Sequence, residues 1–184
     1  MDEPPTTPRE GGGLPGLRGV DHVGITVPDV EQATAFFVDV LGCGLLYERE
    51  PPGDDSPRDR LGVPAGSRIR AVRFLRCANG ANVELFEFYS PDQREDFPRP
   101  SDVGIQHVAF YVDDLDAAAE HLRRHGVKLL SGPNPLPGPE AGEGNRFIYA
   151  RTPWGLTLEL ISYPAPMAYQ RRSNARRWTP PADR

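Results

Sequence analysis

The chain has one lysine, Lys128, two cysteines and four histidines among its 184 residues. It also lacks any apolar run near the roughly 20 residues that a membrane span needs. One lysine excludes most Schiff-base chemistry. The other basic residues are arginines, a bias we attribute to a GC-rich genome. A formal net charge of -5 leaves no basic surface for a phosphate backbone, so no nucleic-acid partner is expected. No apolar core follows the first charges, so neither a secretory signal nor a membrane partner is expected, and the chain reads as cytoplasmic. Cys43 and Cys77 lie far apart without C-x-x-C spacing, and read as buried free thiols.

What is present is a globular composition with two unusual ends. Apolar residues make up 38%, enough for the core of one domain or two small ones. Residues 1–16, "MDEPPTTPREGGGLPG", have almost nothing apolar to bury and read as a disordered tail. Residues 164–184 form a basic, Pro-punctuated extension with Tyr169 and Trp178 as candidate anchors. Its "QRRSNARRW" suits either an anionic substrate group or the partner in a homodimer. Residues 49–68 are polar and rich in Pro and Gly, and read as a long loop of the kind often used for binding.

Between these segments the chain repeats itself. "VDHVGITVPDVEQATAFF" from Val20 and "IQHVAFYVDDLDAAAEHL" from Ile105 align at a spacing of 85, pairing His22 with His107 and Asp29 with Asp114. "LRCANGANVELFEF" and "ARTPWGLTLELISY" align at a spacing of 75, pairing Gly80 with Gly155 and Glu84 with Glu159. The first copy is thus about ten residues longer, with the 49–68 loop the natural place for them. Such a duplication points to two modules, 17–99 and 100–163.

Each module reads strand, helix, then three strands. "VDHVGITV" alternates as a half-buried strand does. Asp29 and Asp114 precede Ala-rich helical patterns that they can cap, and the helices should end at Leu41-Gly42 and His125-Gly126. Hairpin turns are expected at Asn79-Gly80 and Pro153-Trp154-Gly155. The fold class is α+β, two tandem βαβββ modules.

Strand parity then sorts the side chains. Val23, Ile25 and Val27 face the helix, leaving His22, Gly24 and Thr26 opposite. Val108, Phe110 and Val112 do the same, leaving His107, Ala109 and Tyr111. Glu84, Phe86 and Phe88 share the far face of the first copy, and Glu159, Ile161 and Tyr163 that of the second. Glu87 falls on the helix side. Each module therefore sends one histidine and one glutamate from its helix-free face. If both sheets curl around one cleft, two imidazoles and two carboxylates can hold a divalent metal: Fe, Co, Ni, Mn or Zn.

"HVGITVPDVEQATAFFVDVLG", "VELFEF", "HVAFYVDDLDAAAEHL" and "PWGLTLELI" together resemble the vicinal oxygen chelate superfamily, from Val20 to Tyr163. Within it the four-ligand pattern is similar to glyoxalase I and methylmalonyl-CoA epimerase. The resemblance implies a cup-shaped, mostly antiparallel sheet around one metal, ligated by His22, Glu84, His107 and Glu159. It also implies a metal-dependent epimerase, isomerase or lyase acting on a small 2-oxo, thioester or ketose-like molecule through a metal-stabilised enediolate. Glu159 is then the first candidate for the base and Glu84 the second, as related enzymes use metal-site carboxylates. Phe86, Phe88, Tyr111 and Tyr163 share the site face and either shape the substrate pocket or simply pack.

Two other readings stand beside this one: an Fe(II) ring-cleaving dioxygenase, which Glu84 as a fourth ligand disfavours, and a metal-free binding or resistance protein. His121 and His125, at i, i+4, belong to a solvated helix face. Glu48, Arg49 and Glu50 end a strand where they can reach a substrate or stay solvated.

Overall fold

The computed structural model describes residues 14–52, 57–78 and 80–180. Residues 1–13 of the expected tail and Asn79 of the first expected turn lie outside the described residues. The fold is α+β with two sheets, divided into one unit of Val20–Phe97 and another comprising Pro98 onward with the segment up to Gly19.

The first unit holds β1 (His22–Thr26), α1 (Val30–Ala35), which runs into a π-helical stretch at Phe36–Val40, then β2 (Gly44–Arg49), a single turn α2 (Arg58–Leu61), β3 (Arg68–Arg76) and β4 (Asn82–Tyr89). Its sheet order is β1-β4-β3-β2, with β1 parallel to β4 and the rest antiparallel. The second unit holds β5 (Val108–Tyr111), α3 (Leu115–Arg124), β6 (Lys128–Leu129), β7 (Asn134–Pro135), β8 (Arg146–Arg151) and β9 (Thr157–Ser162). Its order is β5-β9-β8-β6, with β7 also paired to β8. Both follow the βαβββ order, the second with the two-residue β7 added between β6 and β8, and the parallel pair in each is first strand with last.

Local chemistry sets the helix limits as expected. Asp29 and Asp114 each accept a hydrogen bond from the backbone N–H three residues on, Gln32 and Ala117, both at 2.9 Å. Gly42 and Gly126 follow the helices at φ +73° and +71°, a conformation that costs a residue with a Cβ. Ile25, Val30, Phe37, Ala71, Leu75, Val83 and Leu85 bury the helix side of the first sheet, where α1 meets β3 and β4. Leu115, Leu122, Ile148, Leu158 and Leu160 do so in the second, where α3 lies over β6, β8 and β9. β5 is the edge strand there, so Val108, Phe110 and Val112 are only half buried.

Two expectations change. The extra length of the first copy lies mainly in its β2–β3 hairpin: β2 has six residues where β6 has two, and β3 nine where β8 has six. Cys43 and Cys77 are not free thiols but a disulfide. Gly44 pairs with Arg76 in the antiparallel ladder, which brings the next residue out on each strand to a Cα separation of 4.5 Å, inside the range a disulfide spans. Glu48 and Glu50 stay largely exposed, at 57% and 78%, while flanking the buried Arg73 guanidinium, which lies 3.3 Å from Glu48, 3.9 Å from Glu50 and 2.5 Å from Glu31. A buried cation needs such compensation.

Candidate functional site

Each unit places one expected histidine against one expected glutamate. In the first, β1 and β4 run parallel with Gly24 opposite Glu84, so His22 sits one pleat before the glutamate on the same face. His22 Nε2 is 3.3 Å from Glu84 Oε2. In the second, Ala109 lies opposite Glu159 in the same relation, and His107 Nε2 is 2.9 Å from Glu159 Oε2. Glu159 is the more enclosed carboxylate, its side chain 10% exposed against 18% for Glu84. Glu87, which parity assigns to the other side, accepts from the Val30 N–H at the start of α1 and pairs with Arg70.

The matching extends to residues that sequence reasoning missed. His22 Nδ1 lies 2.8 Å from Asp21 Oδ2, and His107 Nδ1 lies 3.0 Å from Gln106 Oε1. Phe74 on β3 is directly opposite Glu84, and Tyr149 on β8 directly opposite Glu159. Their rings flank the imidazoles, with centroids at 5.4 and 5.3 Å. The 75-residue spacing pairs Phe74 with Tyr149, so an extended repeat alignment contains that signal. Tyr47 stacks flat on Phe74 at 5.2 Å.

This geometry tests whether the residues suit a metal. Both nitrogens of each ring face an oxygen acceptor, but a neutral imidazole has only one N–H to donate. The second contact in each half-site therefore takes either one further proton, on ring or carboxyl, or a metal ion held by Nε2 and the carboxylate. A ligating histidine whose other nitrogen is held by a carboxylate or amide oxygen is the common arrangement around metals. The donor set fits a divalent ion. Among the described residues, no group of three or more His, Cys, Asp or Glu side chains able to hold one comes together. Each unit offers a pair. The rings of His121 on α3 and His125 at its C-terminal end lie tilted at 4.2 Å, likewise only a pair.

Electrostatics distinguishes the second pair. Burial raises the Glu159 carboxyl above the ordinary carboxylate range, against the opposing pull of His107 and Arg177. Burial likewise raises the phenols of Tyr149, Tyr111 and Tyr163. The aromatic residues expected at a pocket form two pairs, Phe86 with Phe88 at 5.6 Å beside Glu84, and Tyr111 with Tyr163 at 4.8 Å in the second unit.

Residues 21–149 match the family model of the Glyoxalase/Bleomycin resistance protein/Dioxygenase superfamily. The chain belongs to that superfamily. Within it, the chain is 43% identical over 174 residues to a 2-epi-5-epi-valiolone epimerase of Actinomyces sp., covering 92% of this chain and 93% of that one. It is 28% identical over 116 residues to the mitochondrial methylmalonyl-CoA epimerase of Bos taurus, covering 62% and 58%. A superfamily domain from Frankia sp. EAN1pec has the same fold at a TM-score of 0.58, with 19% identity over 80% of this chain and 98% of that one. No described helix of this superfamily member is long and apolar enough to cross a membrane.

Proposed function

We propose that the protein is a metal-dependent epimerase of an α-hydroxyketone. The carrying observation is the pair of matched half-sites, in which each imidazole lies between two oxygen acceptors. His22 with Glu84, and His107 with Glu159, would supply the ligands for a divalent metal, with Asp21 and Gln106 orienting the rings. The 43% identical relative supports the ketose-like branch of the expectation, because the ending of its substrate's name marks a ketone and its activity inverts a stereocentre.

A bound divalent ion supplies Lewis-acid polarisation of a substrate carbonyl. The chain's own residues then handle the proton. Inversion beside a ketone requires removing the proton on the neighbouring carbon and returning it to the opposite face. Glu159 is the better base, because burial holds its carboxyl proton more tightly than an ordinary carboxylate does, closer to what a transfer near neutral pH needs. Glu84 would be the second carboxylate, holding the proton on the return path. Phe74 and Tyr149 flank the imidazoles.

The test is elemental analysis of purified protein, followed by incubation with 2-epi-5-epi-valiolone in deuterated water. About one divalent metal per chain, and metal-dependent deuterium uptake beside the carbonyl, are the expected results. Full reconstitution with Fe, Co, Ni, Mn and Zn that yields neither retained metal nor exchange would sink this reading.

A further inference from the structure

The chain after β9 belongs to the face that carries Glu159. All six β9 residues are buried. On the Glu159 side the C-terminal segment covers Ile161, where Met167 packs with Leu136 and Ile161 in a cluster bordered by Phe147, Tyr163 and Tyr169. The segment is pinned to the 140–145 loop, the Ala165 N–H donating to Asn145 Oδ1 and the Ala168 N–H to the Ala141 carbonyl. Gly142 permits this approach, since a Cβ there would lie 2.8 Å from the Pro166 carbonyl oxygen.

Further along, the segment delivers a charged pair to the same face. The Tyr163 hydroxyl donates to the Trp178 carbonyl at 2.5 Å, and the Arg177 N–H donates to the Tyr169 hydroxyl at 3.1 Å. The Arg177 guanidinium lies over the Tyr163 ring at 5.1 Å and donates through Nη1 to Glu140 Oε1. Tyr163 shares its strand face with Glu159 four residues earlier, roughly 13 Å away along an extended strand. Glu159 feels both charges, Arg177 lowering and Glu140 raising its proton affinity. Yet the pair is not sealed in the core: the side chains of Arg177 and Glu140 are 35% and 42% exposed.

We propose that Arg177 and Glu140 form a recognition site for hydroxyl groups on the end of the substrate remote from Glu159. A hydroxyl both donates and accepts, so a guanidinium beside a carboxylate can serve two neighbouring hydroxyls at once, the guanidinium donating to one oxygen and the carboxylate accepting from the other O–H. The tyrosine face under Arg177 holds the planar fork in place. The pair selects a polyhydroxylated ketone over one without remote hydroxyls. This rests on the proposed epimerase reading for the reacting end.

The test compares two probes in the metal-loaded full chain, by deuterium exchange beside the carbonyl: a pentahydroxycyclohexanone, and 2-hydroxycyclohexanone, which lacks the remote hydroxyls. For Arg177→Ala, kcat/KM for the polyol should fall about 30-fold, as for a lost charge-assisted hydrogen bond, and for the small ketone about threefold or less. Arg177→Lys should recover only part of the loss, because a point charge does not reproduce the fork. Equal losses on both probes would make Arg177 a structural anchor and overturn the proposal while leaving the epimerase reading intact. If the wild type exchanges neither probe, the epimerase reading fails, and calorimetric titration with the polyol decides the rest. Binding by the wild type that Arg177→Ala abolishes would keep the hydroxyl site, and no binding would remove it.

Discussion

His107 and Glu159 meet at 2.9 Å between Nε2 and Oε2, while the other ring nitrogen of His107 faces the Gln106 side-chain oxygen. One imidazole is thus asked to satisfy two acceptors, and the first unit repeats the demand with His22, Glu84 and Asp21. Nothing in ordinary strand packing calls for that arrangement twice. A cation shared between nitrogen and carboxylate accounts for both.

Removing a ligand from either pair should therefore weaken metal binding. Glu84→Gln and Glu159→Gln, like His22→Ala and His107→Ala, should each weaken metal binding by more than the 10- to 100-fold typical of losing a mere supporting partner. Competition against a chelating dye measures this. If the variants of one half bind as tightly as wild type, the four-ligand site is wrong.

Asp21 and Gln106 act at one remove. Asp21→Ala and Gln106→Ala should each cost about 10- to 100-fold in metal affinity. Asp21→Asn should stay near wild type, since an amide oxygen can still accept from Nδ1, as Gln106 does in the other half. Asp21 is exposed, so its loss should change folding stability by no more than about 0.5 kcal/mol. Dissociation constants and denaturant midpoints on the same variants separate the two effects.

The buried Glu159 carboxyl also leaves a signature in the metal-free protein. Its folded-state proton affinity is raised, so the folded state binds more protons than the unfolded chain. The associated stability is fully present below the unfolded-state value of about 4.5 and is lost as pH rises through the higher folded-state value. Glu159→Gln, which cannot ionise, should therefore gain stability relative to wild type between pH 4.5 and 7. Urea midpoints across that window, with chelator present, provide the measurement. A flat difference would mean that His107 and Arg177 fully offset the burial.

The Cys43–Cys77 bond closes a loop of 34 residues around the β2–β3 hairpin of the first unit. By chain entropy it should contribute about 3–4 kcal/mol, so the Cys43→Ser, Cys77→Ser double variant should unfold at clearly lower denaturant. Thiol titration of the unfolded wild type should find no free cysteine. Two titratable thiols would show that the bond does not form in the purified protein.

Local and periodic features were legible without a structure. The Asp29 and Asp114 caps, the glycines ending both helices, the strand order within each repeat and the choice of Glu84 over Glu87 follow from short-range chemistry and the two-residue period of a strand. Repetition strengthened each reading, because the same rule had to hold at two places. What sequence could not supply were partners set by pairing register and by chain return. Phe74 and Tyr149 face the glutamates only because of where β3 meets β4 and β8 meets β9. Cys43 finds Cys77 only because the hairpin ladder extends to them, and Arg177 reaches Glu140 because the C-terminal segment folds back over β9. Such contacts depend on the three-dimensional return of distant segments, which no local propensity encodes. The sequence alone thus determined which side of each strand carries the paired histidine and glutamate, and tertiary structure decided which neighbours surround them.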